Sequence, residues 1–273
     1  MYGYADVDNI FKIKTLYTAF RRRYENDYYT VGESHNFYEI VIVTDGEIGV
    51  TAGSDAFVLK KGQAVIHEPM EFHRLWSEGN SEPEIIIFSF SAVNVPRLSS
   101  KIFEASDLSE PSEVLVQIDN SFELVHGYNI IGINDERSPH YQLAVKLLEI
   151  YMLRLFTQKM KPLPPRKSLS ARNYSTIVNV LENNIDKNLS VPDIARLCNM
   201  GISNLKKTFS IYSGIGIMNY FNRLKIAGAK TMLKNGMSVS EVAESLGFAN
   251  QNYFSTVFKR VEGISPSDYK SDV

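Results

Sequence analysis

Cysteine is nearly missing from this chain of 273 residues, where Cys198 stands alone. That excludes an intrachain disulfide framework and fits a reducing compartment. Long apolar runs are missing too: nothing approaches the roughly 18 uninterrupted apolar residues of a membrane span. The opening stretch Met1-Tyr2-Gly3-Tyr4-Ala5-Asp6 lacks the basic-then-apolar pattern of a secretion signal. The expectation is a cytoplasmic protein with no membrane partner. Net charge is only −2, yet the charge is unevenly spread. Residues 166–273 hold 14 Lys and Arg against 8 Asp and Glu, whereas residues 1–165 hold 15 against 23. A basic rear half behind an acidic front half is the electrostatic footprint of a nucleic-acid binder. The length and a 44% hydrophobic content allow two ordinary domains.

The rear half contains one pattern twice. Ser190-Val191-Pro192-Asp193-Ile194-Ala195 returns as Ser238-Val239-Ser240-Glu241-Val242-Ala243 at an offset of 48. After one inserted residue, Leu205, Phe209, Gly214, Ile215 and Tyr220 match Phe254, Phe258, Gly263, Ile264 and Tyr269. Two copies are too few for a solenoid and point to two similar helical units. Each copy opens with a capping-box pattern, Ser190 with Asp193 and Ser238 with Glu241. Each continues with an apolar stripe at helical spacing, Val191, Ile194, Ala195, Cys198 and Val239, Val242, Ala243, Leu246. A break follows at Asn199-Met200-Gly201 and at Gly247-Phe248-Ala249, where Gly247 suits a left-handed turn. A second helix then starts at Ser203 and at Asn250 or Gln251. Helix, tight turn and second helix is the helix-turn-helix plan, whose second helix lies in the major groove. Cys198 falls on the apolar stripe and reads as a buried hydrophobe rather than a redox sensor.

The run Ser240-Glu241-Val242-Ala243, Gly247-Phe248, Asn252-Tyr253-Phe254-Ser255, Phe258-Lys259, Gly263-Ile264-Ser265-Pro266 and Tyr269 resembles the signature of the AraC/XylS family of bacterial transcription factors. The resemblance covers about residues 170–270. It implies an all-α DNA-binding domain of seven helices, with two helix-turn-helix units (190–212 and 238–261) bridged by a long helix over 217–234. That helix would span roughly 27 Å. Such a span suits recognition helices near the separation of successive major grooves, roughly 34 Å.

In the first recognition helix, Leu205 and Phe209 are four apart and must face the core, which leaves Ser203, Asn204, Lys206 and Lys207 for DNA. Lysine can read guanine or meet a phosphate. In the second, Tyr253, Phe254, Val257 and Phe258 form the apolar side, and Asn250, Gln251, Asn252, Ser255 and Thr256 are the exposed candidates. Asn and Gln can bond adenine edges bidentately. Thr256 stands where many family members carry arginine, which weakens the expectation of a guanine contact there. The first copy, at Gly214-Ile215-Gly216-Ile217, lacks the Ser-Pro of the second, so a looser exit turn is expected. Copy one is expected to supply more of the salt-dependent affinity, and copy two the adenine-edge pattern.

The front half reads as short strands separated by glycine turns. They run over 37–43, 47–52, 56–59, 63–67 and 85–90, with Asp45-Gly46 as a hairpin signal. The fold class expected is an all-β, cupin-like barrel or double-sheet jelly roll with following helices at 111–127 and 139–158. Gly32, His35, Glu39 and Gly46 resemble the first cupin motif; Gly62, Pro69 and His73 resemble the second. A metal-binding cupin offers two histidines and a glutamate from the first motif and one histidine from the second. Here His35, Glu39 and His73 remain, but Phe37 replaces the other histidine, so no metal and no cofactor are assigned. The direction of His67 is left open. The barrel mouth suits a small molecule such as a sugar, lined by His35, Phe37, Glu39, His73 and Trp76. Arg21-Arg22-Arg23 reads as a solvated strand or loop end, with an arm as the alternative. The second helix could pair with its twin in a homodimer.

Residues 1–158 are therefore expected to form an effector-binding and dimerisation domain, 159–169 a proline-stiffened linker, and 170–273 the DNA-binding domain. The function expected is a sequence-specific, effector-responsive transcription regulator and not an enzyme. By family analogy it is an activator, with promoter DNA and RNA polymerase as partners. Two alternatives stand beside it: a metal-dependent cupin enzyme fused to a DNA-binding domain, and an effector-free regulator whose barrel only dimerises.

Overall fold

The structure is a computed structural model that describes residues 10–98, 100–105, 107–119, 139–157, 165 and 168–271. Of the linker expected over 159–169, only Pro165, Ser168 and Leu169 fall within the described residues; residues 120–127 of the first expected helix fall outside them. The chain divides into two compact units, with Pro165 the last residue of the first.

The first unit holds strands β1 (Lys12–Arg23), β2 (Tyr38–Asp45), β3 (Glu47–Ala52), β4 (Asp55–Lys60), β5 (Gln63–His67), β6 (His73–Ser77), β7 (Glu84–Val93) and β8 (Ile102–Glu104), followed by helices α1 (Ser109–Asp119) and α2 (Pro139–Thr157). They form a five-stranded sheet, β1-β7-β2-β5-β8, and a three-stranded sheet, β4-β3-β6. Antiparallel pairing joins β1 to β7, β7 to β2, β2 to β5, β5 to β8 and β3 to β6. This is the double-sheet jelly roll with following helices.

The five-stranded sheet is buried on both faces. Val41, Val43, Val65, Ile85 and Ile87 pack with Ile48, Val50, Leu59 and Leu75 between the sheets. Ile40, Ile42, Ile66, Ile86, Phe88 and Phe90 pack under α1 and α2 against Val114, Leu148, Met152 and Leu155. Double burial explains why Ile40–Val43 and Ile85–Phe88 are continuous apolar runs instead of alternating ones. Arg21 and Arg23 end β1 in ion pairs with Glu84 (2.5 Å) and Asp45 (2.9 Å), so the arginine run is a strand end. Glu149 ties α2 to β1: its buried carboxylate accepts from Ile13 N (2.9 Å) and from Lys146 Nζ (2.7 Å).

The second unit has seven helices among its described residues: α3 (Leu169–Glu182), α4 (Val191–Leu197), α5 (Ile202–Ser213), α6 (Ile217–Lys234), α7 (Val239–Ser245), α8 (Gln251–Glu262) and α9 (Pro266–Ser271). Both capping boxes form, at Ser190 with Asp193 and at Ser238 with Glu241. The first recognition helix starts at Ile202, one residue earlier than expected, with Gly201 as its N-cap. Its turn is made by Asn199 (φ 52°), the counterpart of Gly247 (φ 62°) at the 48-residue offset. Only the second position demands glycine, because a Cβ on Gly247 would lie 2.2 Å from Asp186 O. The first exit turn is pinned rather than loose. Buried Ser213 donates through Oγ to Ile215 O (2.8 Å) and accepts from Ile215 N (3.3 Å), where copy two uses Ser265 Oγ to accept from Asp268 N (3.1 Å).

Candidate nucleic-acid interface and interior polar cluster

Helices α5 and α8 each run 12 residues and bury one face, Leu205, Thr208 and Phe209 in one and Phe254, Val257 and Phe258 in the other. The opposite faces carry the residues expected to read DNA. Ser203, Asn204, Lys206 and Lys207 are exposed on α5; Asn250, Gln251, Asn252 and Thr256 are exposed on α8, and Ser255 is half-buried. Three of these side chains are already engaged. Asn250 is the N-cap of α8 and its Oδ1 accepts from Tyr253 N (2.8 Å), which occupies one of that oxygen's two lone pairs. Thr256 Oγ1 donates to Asn252 O (3.0 Å), and Asn204 Oδ1 accepts from Thr208 Oγ1 (3.3 Å). Gln251, Asn252, Lys206 and Lys207 keep their outward polar groups available.

Sequence reasoning missed a groove between α6 and α8. It has a volume of about 450 Å³ and is lined by Met218, Asn219, Asn222, Arg223, Tyr253, Arg260 and Val261. Arg223 Nε is buried there without a hydrogen-bond partner among the described residues. Tyr253, placed on the apolar side of its helix by periodicity, is half exposed and leans on Phe248 at 6.0 Å. The signal lay in α6, where Asn219, Asn222 and Arg223 recur at i, i+3 and i+4 on the side opposite the buried Ile217, Tyr220 and Phe221.

Inside the jelly roll, at the end where β2, β5, β6 and β7 meet, His35, Glu39 and His73 come together. Glu39 and His67 pair across β2 and β5, and Glu39 and Ser89 across β2 and β7, so these side chains point inward with Val41, Val65 and Ile87. His35 Nε2 lies 3.8 Å from Glu39 Oε2, and His73 Nε2 lies 3.4 Å from Glu39 Oε1. Ser89 Oγ donates to Glu39 Oε2 (3.0 Å), and Thr18 Oγ1 donates to Ser89 Oγ (2.6 Å). Burial alone would raise the Glu39 carboxyl, but neighbouring His73, His35 and Ser89 outweigh it and hold the group below its ordinary value. Burial works against the charge of His73, yet Glu39 raises that imidazole above its usual value. Burial lowers His35.

His67, whose direction alternation left open, is fully buried and stacks on His73 (centroids 4.0 Å apart, rings 9° from parallel); burial pushes its pKa well below the usual imidazole value. Phe37, in place of a second motif histidine, stacks on His35 at 3.8 Å and on Tyr17 at 4.6 Å. Trp76 does not join the cluster. On β6, His73 and Leu75 point inward, so Trp76 faces the other way by the two-residue period. It covers Gly49, where a Cβ would lie 2.0 Å from the indole, and donates to Glu78 Oε2 (2.9 Å).

A family model described as an AraC-like ligand binding domain matches residues 17–148, and one described as a helix-turn-helix domain matches residues 194–272. Among curated proteins, the chain is 23% identical over 244 residues to the HTH-type transcriptional activator RhaR of Mannheimia succiniciproducens, covering 87% of this chain and 86% of that one. It is 23% identical over 256 residues to the HTH-type transcriptional regulator YfiF of Bacillus subtilis, covering 90% and 80%. A solved structure of ToxT from Vibrio cholerae O395 aligns over 96% of this chain and 97% of its own at 17% identity, with a TM-score of 0.38. No described helix is long and apolar enough to cross a membrane. With its jelly-roll front unit and its paired helix-turn-helix rear unit, the chain belongs to the AraC/XylS family of DNA-binding transcription regulators.

Proposed function

We propose that this regulator binds promoter DNA in a sequence-specific way, with α5 and α8 in successive major grooves, and that a small-molecule effector in the jelly roll sets how well it does so. The observation that carries this reading is the pair of 12-residue helices with outward polar faces, joined by the 18-residue α6. Ser203, Asn204, Asn250, Gln251, Asn252, Ser255 and Thr256 face base edges, and Lys206 and Lys207 serve as phosphate or guanine contacts. The α6–α8 groove, with Arg223, Arg260 and Tyr253, seats a backbone phosphate between the two grooves, a third point of contact.

In this reading residues 1–158 form the effector-binding and dimerisation domain, 159–169 the linker, and 170–273 the DNA-binding domain. The regulator acts as a homodimer in the cytoplasm. It catalyses no reaction and activates transcription through RNA polymerase. A small polar effector such as a sugar suits the hydroxyls of Thr18 and Ser89 and the rings of Phe37 and Tyr17. An effector changes DNA binding only by as much as it prefers one state of the protein.

Selection of bound duplexes from a random pool, followed by affinity measurements across salt, tests the reading. A defined sequence preference and a steep loss of affinity with salt are expected. Absence of both would overturn it.

A further inference from the structure

We propose that the cluster inside the jelly roll binds a divalent first-row transition-metal ion through His35 Nε2, the Glu39 carboxylate and His73 Nε2. The proposal rests on the front unit being a ligand-binding domain and names the chemistry of one ligand.

The orientation of the two imidazoles carries the argument. His35 Nδ1 lies 3.0 Å from Phe37 O, and His73 Nδ1 lies 3.0 Å from Glu71 O. A carbonyl oxygen only accepts, so each Nδ1 must be the donor. In the neutral ring this leaves the Nε2 lone pair bare and aimed at Glu39. Both Nε2 atoms are buried without a hydrogen-bond partner among the described residues. A carboxylate facing two imidazole nitrogens calls for positive charge between them, which a proton on a ring or a metal ion in its place supplies. An imidazole whose far N–H is anchored on a backbone carbonyl is also the common arrangement of a metal-ligating histidine.

The spacing fits an ion. One donor atom from each of the three residues lies within 4.8 Å of the others. The closest approaches, 3.4 and 3.8 Å, are long for hydrogen bonds. They are close to the edge of a tetrahedron with bonds of about 2.1 Å, roughly 3.4 Å. The surroundings hold the donors in place. Phe37 stacks on His35, His67 stacks on His73, and Ser89, backed by Thr18, holds one oxygen of Glu39. Two imidazoles and one carboxylate form a borderline donor set that suits zinc, cobalt, nickel or iron(II) over magnesium or calcium, which prefer all-oxygen shells. Three protein donors leave a position open for water or for a donor atom of a second ligand.

The test uses the untagged full-length chain, stripped with a chelator and titrated with Co²⁺. The proposal expects visible d–d bands that saturate at one Co²⁺ per chain, are displaced by Zn²⁺ and persist in excess Mg²⁺. Glu39→Gln and His73→Gln should each weaken Co²⁺ affinity at least tenfold. His35→Gln should do the same, with melting temperature and promoter-duplex binding measured on every variant to show that it is folded. No saturable bands in a chain that still binds its duplex would overturn the metal site and leave the regulator reading intact. Equal affinity in folded Glu39→Gln and His73→Gln would also overturn it. Loss of duplex binding by the unsubstituted chain, with Co²⁺ binding kept, would overturn the regulator reading alone.

Discussion

Lys225 has 3% of its surface exposed on the bridging helix, where a sequence reader sees only a helix-favouring lysine. Its Nζ donates to Lys187 O (2.7 Å) and to Leu246 O, with the Phe221 and Phe248 rings 4.7 and 5.1 Å away. It thus joins the chain just ahead of α4 to the C-cap of α7. Replacing it with methionine leaves two carbonyls unpaired, and Lys225→Met should cost about 2–3 kcal/mol in urea unfolding. Burial pushes this amine from 10.5 down to about 8. Between those values the unfolded chain holds more of the proton, so this group makes stability rise with pH. The stability gap between wild type and Lys225→Met should therefore widen by about 2 kcal/mol from pH 7.5 to 9.5; a gap that shrinks would contradict this. Gly247 was legible as a turn residue, but its neighbour was not. With φ at 62° and Asp186 O where a Cβ would go, Gly247→Ala should lose about 2 kcal/mol or more. The same substitution at Asn199, whose side chain already tolerates φ of 52°, should cost less. Equal losses in a denaturant titration of the two variants would argue against the close approach as the cause.

At the scale of elements, periodicity served well where an element has one buried face. The cores of α5 and α8 follow from it, because each helix carries a single apolar stripe, while the capping boxes follow from the Ser-to-acid spacing and the bounds of α6 match those the family resemblance implied. It failed for β1, a 12-residue strand with register shifts between Ile13 and Thr15 and between Leu16 and Thr18, since bulges break the alternation a reader counts. Strand β6 is only five residues long and β8 three, too short for a pattern to declare itself. The groove between α6 and α8 also modifies the expected division of labour between the helix-turn-helix copies. Lys206 and Lys207 are exposed on copy one, but Arg260 and the groove give copy two cations of its own. In a plot of log affinity against log salt, Lys206→Ala and Lys207→Ala should each flatten the slope by about 1. Arg260→Ala should do the same if the groove seats a phosphate. An unchanged slope for Arg260→Ala would remove the groove from the interface.

At the scale of the molecule, α2 has a second apolar face that the described residues of its own unit leave largely exposed. Leu143, Ile150 and Leu153 are 46%, 47% and 38% exposed, while Ala144, Leu148, Met152 and Leu155 pack inward. This stripe is where the proposed homodimer would close. Ile150→Glu should shift sedimentation at micromolar concentration from dimer to monomer without changing the melting of the front unit. A dimer unaffected by that change would place the interface elsewhere. What the sequence by itself determined is what local chemistry dictates: helix and turn positions, the doubled motif, the acidic and basic halves, and the pairing of His35, Glu39 and His73 through motif spacing. Only the tertiary structure decided which faces meet. It turned His67 onto His73 and Trp76 away from both, gave Asn250 to a helix cap, buried Lys225 and aimed two imidazole nitrogens at one carboxylate. Those outcomes depend on contacts between residues far apart in the chain, and no local periodicity encodes them.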